Sequence, residues 1–243
     1  MNLEFEKKII HLKDVNSTNE FANKYIDENK IQESFVITAD YQKCGKGQVN
    51  NRWDSEKEKN LLISVVFSYK KNISNQFDFN IISSLAVLDI LQELKVEKAK
   101  VKWPNDILIN KKKVAGILIK NKIKGNEIYK SIIGLGLNVN QEVFRKFNRK
   151  ATSLKIEKSK LFDLIDIRDN FLKTLKSRLS KNINKNYIDY NNSLYLKDTI
   201  STFEINGEKK VGIIKSVNKK GFLSLETENG IEVFRMKEIS FLS

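Results

Sequence analysis

Residues 101–120 read VKWPNDILINKKKVAGILIK, and the places where this stretch breaks decide the fold. Val101-Lys102-Trp103 and Ile107 to Ile109 are short apolar runs on either side of the chain's only proline, Pro104, so Pro-Asn-Asp between them is a turn joining two strands. Asn110 to Lys112 makes a second turn, and Val114 to Lys120 returns as the next strand. Working outward, Ile128 to Leu137, Leu61 to Phe67 (LLISVVF), Phe35 to Tyr41 (FVITADY) and Ile9 to Val15 are further runs of strand length and composition. Helical spacing interrupts them twice. Ser17-Thr18-Asn19-Glu20 has the form of a capping box ahead of Phe21, Ala22, Tyr25 and Ile26, and Ile81 to Leu94 repeats apolar residues at Ile81, Leu85, Leu88 and Leu91. The expectation is an α+β fold in which a mixed, mostly antiparallel sheet carries helices on one face.

After Asn140 the pattern changes to charged helical segments, Leu161 to Leu179 and Tyr187 to Tyr195. It changes again at Thr199. Strands at Thr199 to Ile205, Lys210 to Val217, Phe222 to Thr227 and Ile231 to Met236 are separated by Asn206-Gly207, Asn218 to Gly221 and Asn229-Gly230, the turn spacing of a small β-barrel. The boundary is expected near residue 196, dividing the chain into 1–195 and 196–243.

Composition narrows the function. A chain of 243 residues with 40% hydrophobic content is long enough for a sizeable core and is neither disordered nor fibrous. No apolar run approaches the ~18 to 20 residues of a membrane span, and the acidic amino terminus has no secretory apolar region, so a cytoplasmic location is expected. The one cysteine, Cys44, cannot form an internal disulfide. Net charge is +14, which raises nucleic acid as a partner. The excess is mostly Lys scattered beside abundant Asn and Ile, as in a chain encoded by an A+T-rich genome, and no cation-rich recognition helix is visible.

Four segments carry chemistry. Ser17-Thr18-Asn19 is either a helix cap or a compact pocket of hydroxyl and amide groups for a neutral ligand. Gln42 to Trp53 contains Gly45-Lys46-Gly47, which reads as a mobile surface loop or as backbone N–H groups and a cation approaching an anion; it matches neither the Walker A spacing nor the dinucleotide-binding fingerprint. Trp53, closing that loop, is a staple or a face on which a base stacks. Lys102 to Asp106 displays a Lys, an Asn and an Asp on one turn, and a lone carboxylate suits Mg²⁺ held partly by substrate phosphates. Lys113, ahead of Gly116, is a turn residue or a cation aimed into the sheet.

In this order, with Gly134-Leu135-Gly136-Leu137-Asn138 ending the sheet, these segments resemble the biotin protein ligases, the biotin-acetyl-CoA-carboxylase ligases. The resemblance covers nearly the whole chain. It implies a class II synthetase-like catalytic part at 1–195 and an SH3-like barrel at 196–243. With about 16 residues ahead of Ser17, it is to the monofunctional kind without an amino-terminal DNA-binding domain.

The implied activity is ATP-dependent protein biotinylation, a post-translational modification: biotin becomes biotinyl-AMP and passes to a lysine of the biotin carboxyl carrier protein of acetyl-CoA carboxylase. By resemblance Ser17, Thr18 and Gln42 hydrogen-bond the ureido ring of biotin and Asn19 shapes that pocket. Lys113, Lys102 and Lys46 act in catalysis. Gly45, Lys46, Gly47, Gln48, Arg52, Trp53, Asn105, Lys113, Gly116 and Asn138 bind biotin or nucleotide, with adenine at Trp53 and Asn138, and Asp106 binds Mg²⁺. The glycine loop departs from the family's Gly-Arg-Gly-Arg-x-Gly-Arg pattern: Lys46 and Gln48 replace arginines, Asn50 a glycine and Asn51 the last arginine, with Arg52 one position off register. Expected partners are the carrier protein, biotin and ATP, with a homodimer left open and neither membrane nor sequence-specific nucleic acid. A lipoate ligase shares the chemistry, but its Arg-Arg-x-Ser-Gly-Gly-Gly loop is missing. A basic nucleic-acid-binding module is the alternative of a different class.

Overall fold

The computed structural model describes residues 4–48, 51–72, 76–144 and 150–242. Strands β1 (Ile9–Val15), β2 (Phe35–Gln42), β3 (Asn60–Asn72), β4 (Ala99–Lys102), β5 (Asp106–Ile109), β6 (Lys112–Lys124) and β7 (Glu127–Asn138) form one sheet in the order β1-β2-β3-β7-β6-β5-β4. In this sheet β1 and β2 pair in parallel and the other neighbouring pairs are antiparallel, with short turns joining β4 to β5, β5 to β6 and β6 to β7. Trp103-Pro104, in the β4–β5 turn, is a cis peptide.

Alternation along β7 assigns the two faces. Ile133, Leu135 and Leu137 enter the main core with Ile63, Val65 and Phe67 of β3, under α2 (Asp78–Glu93) and α4 (Leu164–Ser180). Ile132 and Val66 point the other way and join Phe35, Ile37 and the α1 (Thr18–Asn29) residues Ala22 and Ile26 in a second cluster. The expected helical layer is therefore present as α2, α4 and α5 (Ile183–Asn192), while α1 lies across the opposite face. The 81–94 stretch is longer and more deeply set than its four-residue apolar repeat implies, because α2 is covered on nearly all sides.

An ion cluster joins these helices. Arg178 on α4 donates Nε to Asp89 Oδ2 and Nη2 to Asp89 Oδ1, both at 2.6 Å, and Nη1 to Asp189 Oδ2 at 2.7 Å and to Asn186 Oδ1 at 3.2 Å. These bonds, Asp89's first, hold the guanidinium pKa above its ordinary value against the opposing effect of burial. α4 begins at Leu164 and α5 at Ile183, where Asp163 and Asn182 supply capping side chains, so both helices start at different residues from those the apolar spacing marks. A short helix, α3 (Leu154–Lys158), precedes them.

The carboxy-terminal strands β8 (Ile200–Ile205), β9 (Glu208–Val217), β10 (Leu223–Thr227), β11 (Gly230–Phe234) and β12 (Ile239–Phe241) form a second antiparallel sheet in the order β11-β10-β9-β8-β12. It packs on the β4–β5 turn. Trp103 Nε1 donates to the Gly221 carbonyl at 2.9 Å, and Phe203, Ile214, Val217 and Leu223 belong to the same core cluster as β3 and β7. Gly221 has φ +84° and lies against the Phe77 ring, a place that excludes a side chain on both counts. Among the described residues no helix is long and apolar enough to cross a membrane.

Candidate functional site

The face of the sheet under α1 changes character along its length. On β7 the residues pointing that way are Ile132, Gly134, Gly136 and Asn138; on β3 their partners are Val66, Ser64, Leu62 and Asn60. Along β7 an apolar group under α1 thus gives way to two positions without side chains and then to an amide, beside Ser64, Leu62 and Asn60 of β3. The hollow is occupied by two side chains from elsewhere. A Cβ on Gly134 would stand 2.4 Å from Asn19 Nδ2, and one on Gly136 would stand 2.4 Å from Trp53 Cε2. Gly136 pairs with Gly116 of β6, which pairs with Asp106 of β5, which pairs with Lys102 of β4, so a single row runs from the glycine floor to the charged turn.

At the α1 end the polar groups close on one another. Thr18 donates its backbone N–H to Gln42 Oε1 at 2.8 Å, and its Oγ1 lies 3.1 Å from the same oxygen. Ser64 Oγ lies 2.8 Å from Thr18 Oγ1 and 2.7 Å from Asn19 Oδ1, and Asn19 Nδ2 donates to the Leu118 carbonyl at 2.9 Å. Ser17 is buried at the N-cap of α1, but its side chain makes no capping bond. The capping box does not close. Glu20, its acidic member, forms an ion pair with Lys46 across the glycine loop instead.

The described residues of that loop pair with one another. Lys46 and Arg52 form an antiparallel bridge, Trp53 N–H donates to the Gly45 carbonyl at 2.9 Å, and Gly47 N–H donates to the Asn51 carbonyl at 2.7 Å. Gly45 is required there, since a Cβ would meet the Trp53 carbonyl oxygen at 2.4 Å. The Arg52 guanidinium donates to the Lys43 carbonyl at 3.1 Å, Gln48 is half-buried, and Cys44 is exposed. Asn50 lies outside the described residues.

At the other end Lys113 Nζ sits 2.6 Å from Asp106 Oδ1 and 5.5 Å from the Trp53 ring centroid. Lys102 is buried with its ammonium 4.7 Å from the Phe241 ring, which reaches in from β12. Asn105 donates its amide to the Ile117 carbonyl at 2.6 Å and so braces the turn. Asn138 donates to the Thr152 carbonyl at 3.0 Å, and the backbone of 150–152 zips along Lys113 through Lys113 N–H to the Lys150 carbonyl and Thr152 N–H to the Lys113 carbonyl. Two buried polar atoms in this region, Trp53 Nε1 and Asn138 Oδ1, have no hydrogen-bond partner among the described residues. A ligand here would meet Trp53 Nε1 with an acceptor and Asn138 Oδ1 with a donor; Ser55, Asn80, Ser84 and Tyr195 also keep an unpartnered buried oxygen among the described residues.

Among the described residues no group of three His, Cys, Asp or Glu side chains is gathered. A divalent cation at Asp106 would therefore take most of its oxygens from phosphate and water, which suits Mg²⁺. Ser64, Glu20, Thr152 and Phe241 escaped the reading of the sequence. Ser64 is hidden in the apolar run LLISVVF, and the other three are distant in sequence from the groups they meet.

A family model described as the Biotin/lipoate A/B protein ligase family matches residues 12–138, just over half of the chain. The bifunctional ligase/repressor BirA of Bacillus subtilis is 30% identical over 129 residues, 53% of this chain and 40% of that protein. This chain thus spans about two-fifths of the length of that relative. A biotin-acetyl-CoA-carboxylase ligase of Mycobacterium tuberculosis is 28% identical over 201 residues, 79% of this chain and 73% of that one. Among solved structures, the biotin protein ligase from Aquifex aeolicus in complex with biotin and ATP is similar with a TM-score of 0.78 and 25% identity, covering 96% of this chain and 98% of that chain.

Proposed function

The chain belongs to the Biotin/lipoate A/B protein ligase family, and from that premise we propose that it is an ATP-dependent biotin protein ligase. In this reading it activates biotin as biotinyl-AMP and transfers the biotinyl group to a lysine of the biotin carboxyl carrier protein of acetyl-CoA carboxylase. The observation that carries the reading is the graded sheet face along Gly134 and Gly136, on which Asn19 and Trp53 are seated, with a neutral cluster of hydroxyls and amides at one end and the Lys113–Asp106 pair at the other. Biotin has the same polarity. A cyclic urea, rich in donors and acceptors, lies at one end of an apolar chain and a carboxylate at the other.

A carboxylate does not acylate an amine, so it must first become a mixed anhydride. The biotin carboxylate attacks the α-phosphorus of ATP and pyrophosphate departs. The ε-amine of the carrier lysine then attacks the acyl carbon, and AMP leaves with the bonding pair. Ser17, Thr18 and Gln42 hold the ureido ring, with Asn19 fixing the wall of the pocket. Lys113, beside Asp106 and over the Trp53 ring, is the cation at the point where carboxylate and α-phosphate meet, and it stabilises the charge that grows there. Lys102 and Lys46 meet the remaining phosphates, Trp53 and Asn138 offer the adenine a ring face and an amide, and the Gly45–Gln48 backbone and Arg52 line the loop above. Asp106 would hold Mg²⁺, which supplies neutralisation of phosphate charge when bound. Residues 1–195 carry this chemistry and 196–243 brace it through Phe241 and Gly221.

ATP–pyrophosphate exchange measured with biotin, with lipoate and with neither tests the proposal. Exchange that depends on biotin is expected. Exchange with lipoate alone would make the chain a lipoate ligase, and none with either acid would remove it from adenylating chemistry.

A further inference from the structure

Ser64 is fully buried in the middle of β3, and no role above uses it. Three oxygen–oxygen contacts run through the pocket: Asn19 Oδ1 to Ser64 Oγ at 2.7 Å, Ser64 Oγ to Thr18 Oγ1 at 2.8 Å, and Thr18 Oγ1 to Gln42 Oε1 at 3.1 Å. Backbone partners fix both amides. Asn19 Nδ2 donates to the Leu118 carbonyl, and Gln42 Oε1 accepts the Thr18 N–H. Both amide oxygens are therefore acceptors, and only the hydroxyls of Ser64 and Thr18 bring protons. Three contacts share two protons. Two bare oxygens repel more strongly the closer they stand, so the protons belong in the shorter contacts. The arrangement that keeps a hydrogen in both shorter contacts has Ser64 donating to Asn19 and Thr18 donating to Ser64; the alternative, with Thr18 donating to Gln42, leaves one of the shorter contacts bare.

We infer that Ser64 sets the polarity of the pocket. By drawing the Thr18 proton away from Gln42, it presents Thr18 Oγ1 and Gln42 Oε1 as two adjacent acceptors, so the pocket demands an N–H donor from its ligand. Ser64 is thus a specificity-determining, positioning residue that touches Thr18 and not the reacting atoms. The inference deepens the biotin reading and rests on it. A ring N–H of the urea is the donor that the bare oxygen pair selects.

The test is equilibrium binding, without ATP, of biotin and of biotin methylated at the ring nitrogens, to the parent protein and to Ser64→Ala. In the variant the Thr18 proton returns to Gln42. Biotin should weaken by roughly 3- to 10-fold, the equivalent of one hydrogen bond, and the ratio of biotin to methylbiotin affinity should shrink by the same factor while the KM for ATP stays put. A weaker biotin affinity with an unchanged ratio would reduce Ser64 to a packing residue and overturn the inference. Ser64→Cys, close in size but a poor acceptor, provides the same ratio should the alanine variant fail to fold, and an unreduced ratio there also overturns it. A parent protein that binds neither ligand overturns the biotin reading itself, a separate outcome.

Discussion

Successive residues of β7 serve two faces built in opposite ways. Ile133, Leu135 and Leu137 enter a close-packed core under α2 and α4, and the cation on that side, Arg178, makes four hydrogen bonds to Asp89, Asp189 and Asn186. Gly134, Gly136 and Asn138 face the other way, beneath Asn19 and Trp53, where Lys113 pairs with Asp106 and where Trp53 Nε1 and Asn138 Oδ1 lack partners among the described residues. On the proposed reading, the difference separates charge that holds the fold from charge that meets a ligand. Unpartnered buried atoms do not by themselves mark the ligand side, since Asn80 Oδ1 and Ser84 Oγ on α2 also lack partners among the described residues; what distinguishes the two faces is how fully the cation of each is hydrogen-bonded.

The largest effect should come from breaking the satisfied side. Arg178→Met leaves Asp89 and Asp189 facing each other without their cation. Removing one partner of a buried ion cluster costs roughly 3 to 5 kcal/mol, and the lower end applies here because the Asp189 side chain keeps 34% exposure. Urea unfolding should show that loss while biotin affinity of the folded protein is unchanged. A loss below ~1 kcal/mol would place the cluster with ordinary surface ion pairs.

On the glycine side the order inverts. Lys113→Ala should lower biotinyl-AMP formation by ~10² to 10³, about 2.7 to 4 kcal/mol of transition-state stabilisation, by analogy with loss of one oxyanion donor. Its cost in stability should be smaller than that of Arg178→Met. Rapid-quench measurement of adenylate decides, and a variant forming it at the parent rate would remove Lys113 from the first step.

How legible this contrast was in the sequence follows from the range of the interactions. The strands could be read because a period of two and Gly, Asn or Pro turns are local signals, and IIGLGLN shows its own alternation, whereas their order in the sheet, with β3 beside β7, rests on long-range pairing. Thr18, Gln42, Trp53, Lys102, Asp106, Lys113 and Asn138 could be singled out as candidates because their motifs are short and ordered. The Arg178 cluster was not, since its aspartates stand 89 and 11 positions away and each looks like part of a solvated helix face. Ser64 was lost for the opposite reason, as one hydroxyl inside an apolar run. Ser17 to Glu20 marked the start of α1 correctly, with Ser17 at its N-cap, but the side-chain bonds of a capping box are not made and Glu20 pairs with Lys46, a partner 26 positions away that no local pattern shows.

Gly136→Ala sharpens the comparison on the backbone itself. A methyl group there would stand 2.4 to 2.8 Å from three atoms of the Trp53 ring, which is a rigid neighbour and must be displaced. Overpacking of this kind costs roughly 1 to 3 kcal/mol. On the proposed reading it should appear chiefly as weaker biotin and ATP binding, with Trp53 emission shifted towards that of a solvated indole. Emission and affinities equal to the parent's would mean that the ring does not need the hollow.

The smallest expected effect belongs to Lys130, at the far end of the same face, two residues before Ile132. It is buried, and its ammonium donates to the Ile31 carbonyl just past the end of α1. Burial, followed by the nearby charge of Lys122, lowers its pKa below the ordinary 10.5. A base with a depressed folded pKa binds its proton less readily in the native state than in the unfolded one. Between the two values the unfolded chain holds more protons, so stability rises with pH in that window. At neutral pH both states are protonated and the full cost of burying the charge is present. Lys130→Met removes the titration, so the melting temperature of the parent minus that of the variant should increase as pH is raised towards 10.5. Lys59 and Lys215, whose carboxylate partners raise their pKa values, titrate in both proteins and cancel in the difference. A difference that stays flat would show that the hydrogen bond to Ile31, at the negative end of the α1 dipole, offsets the burial.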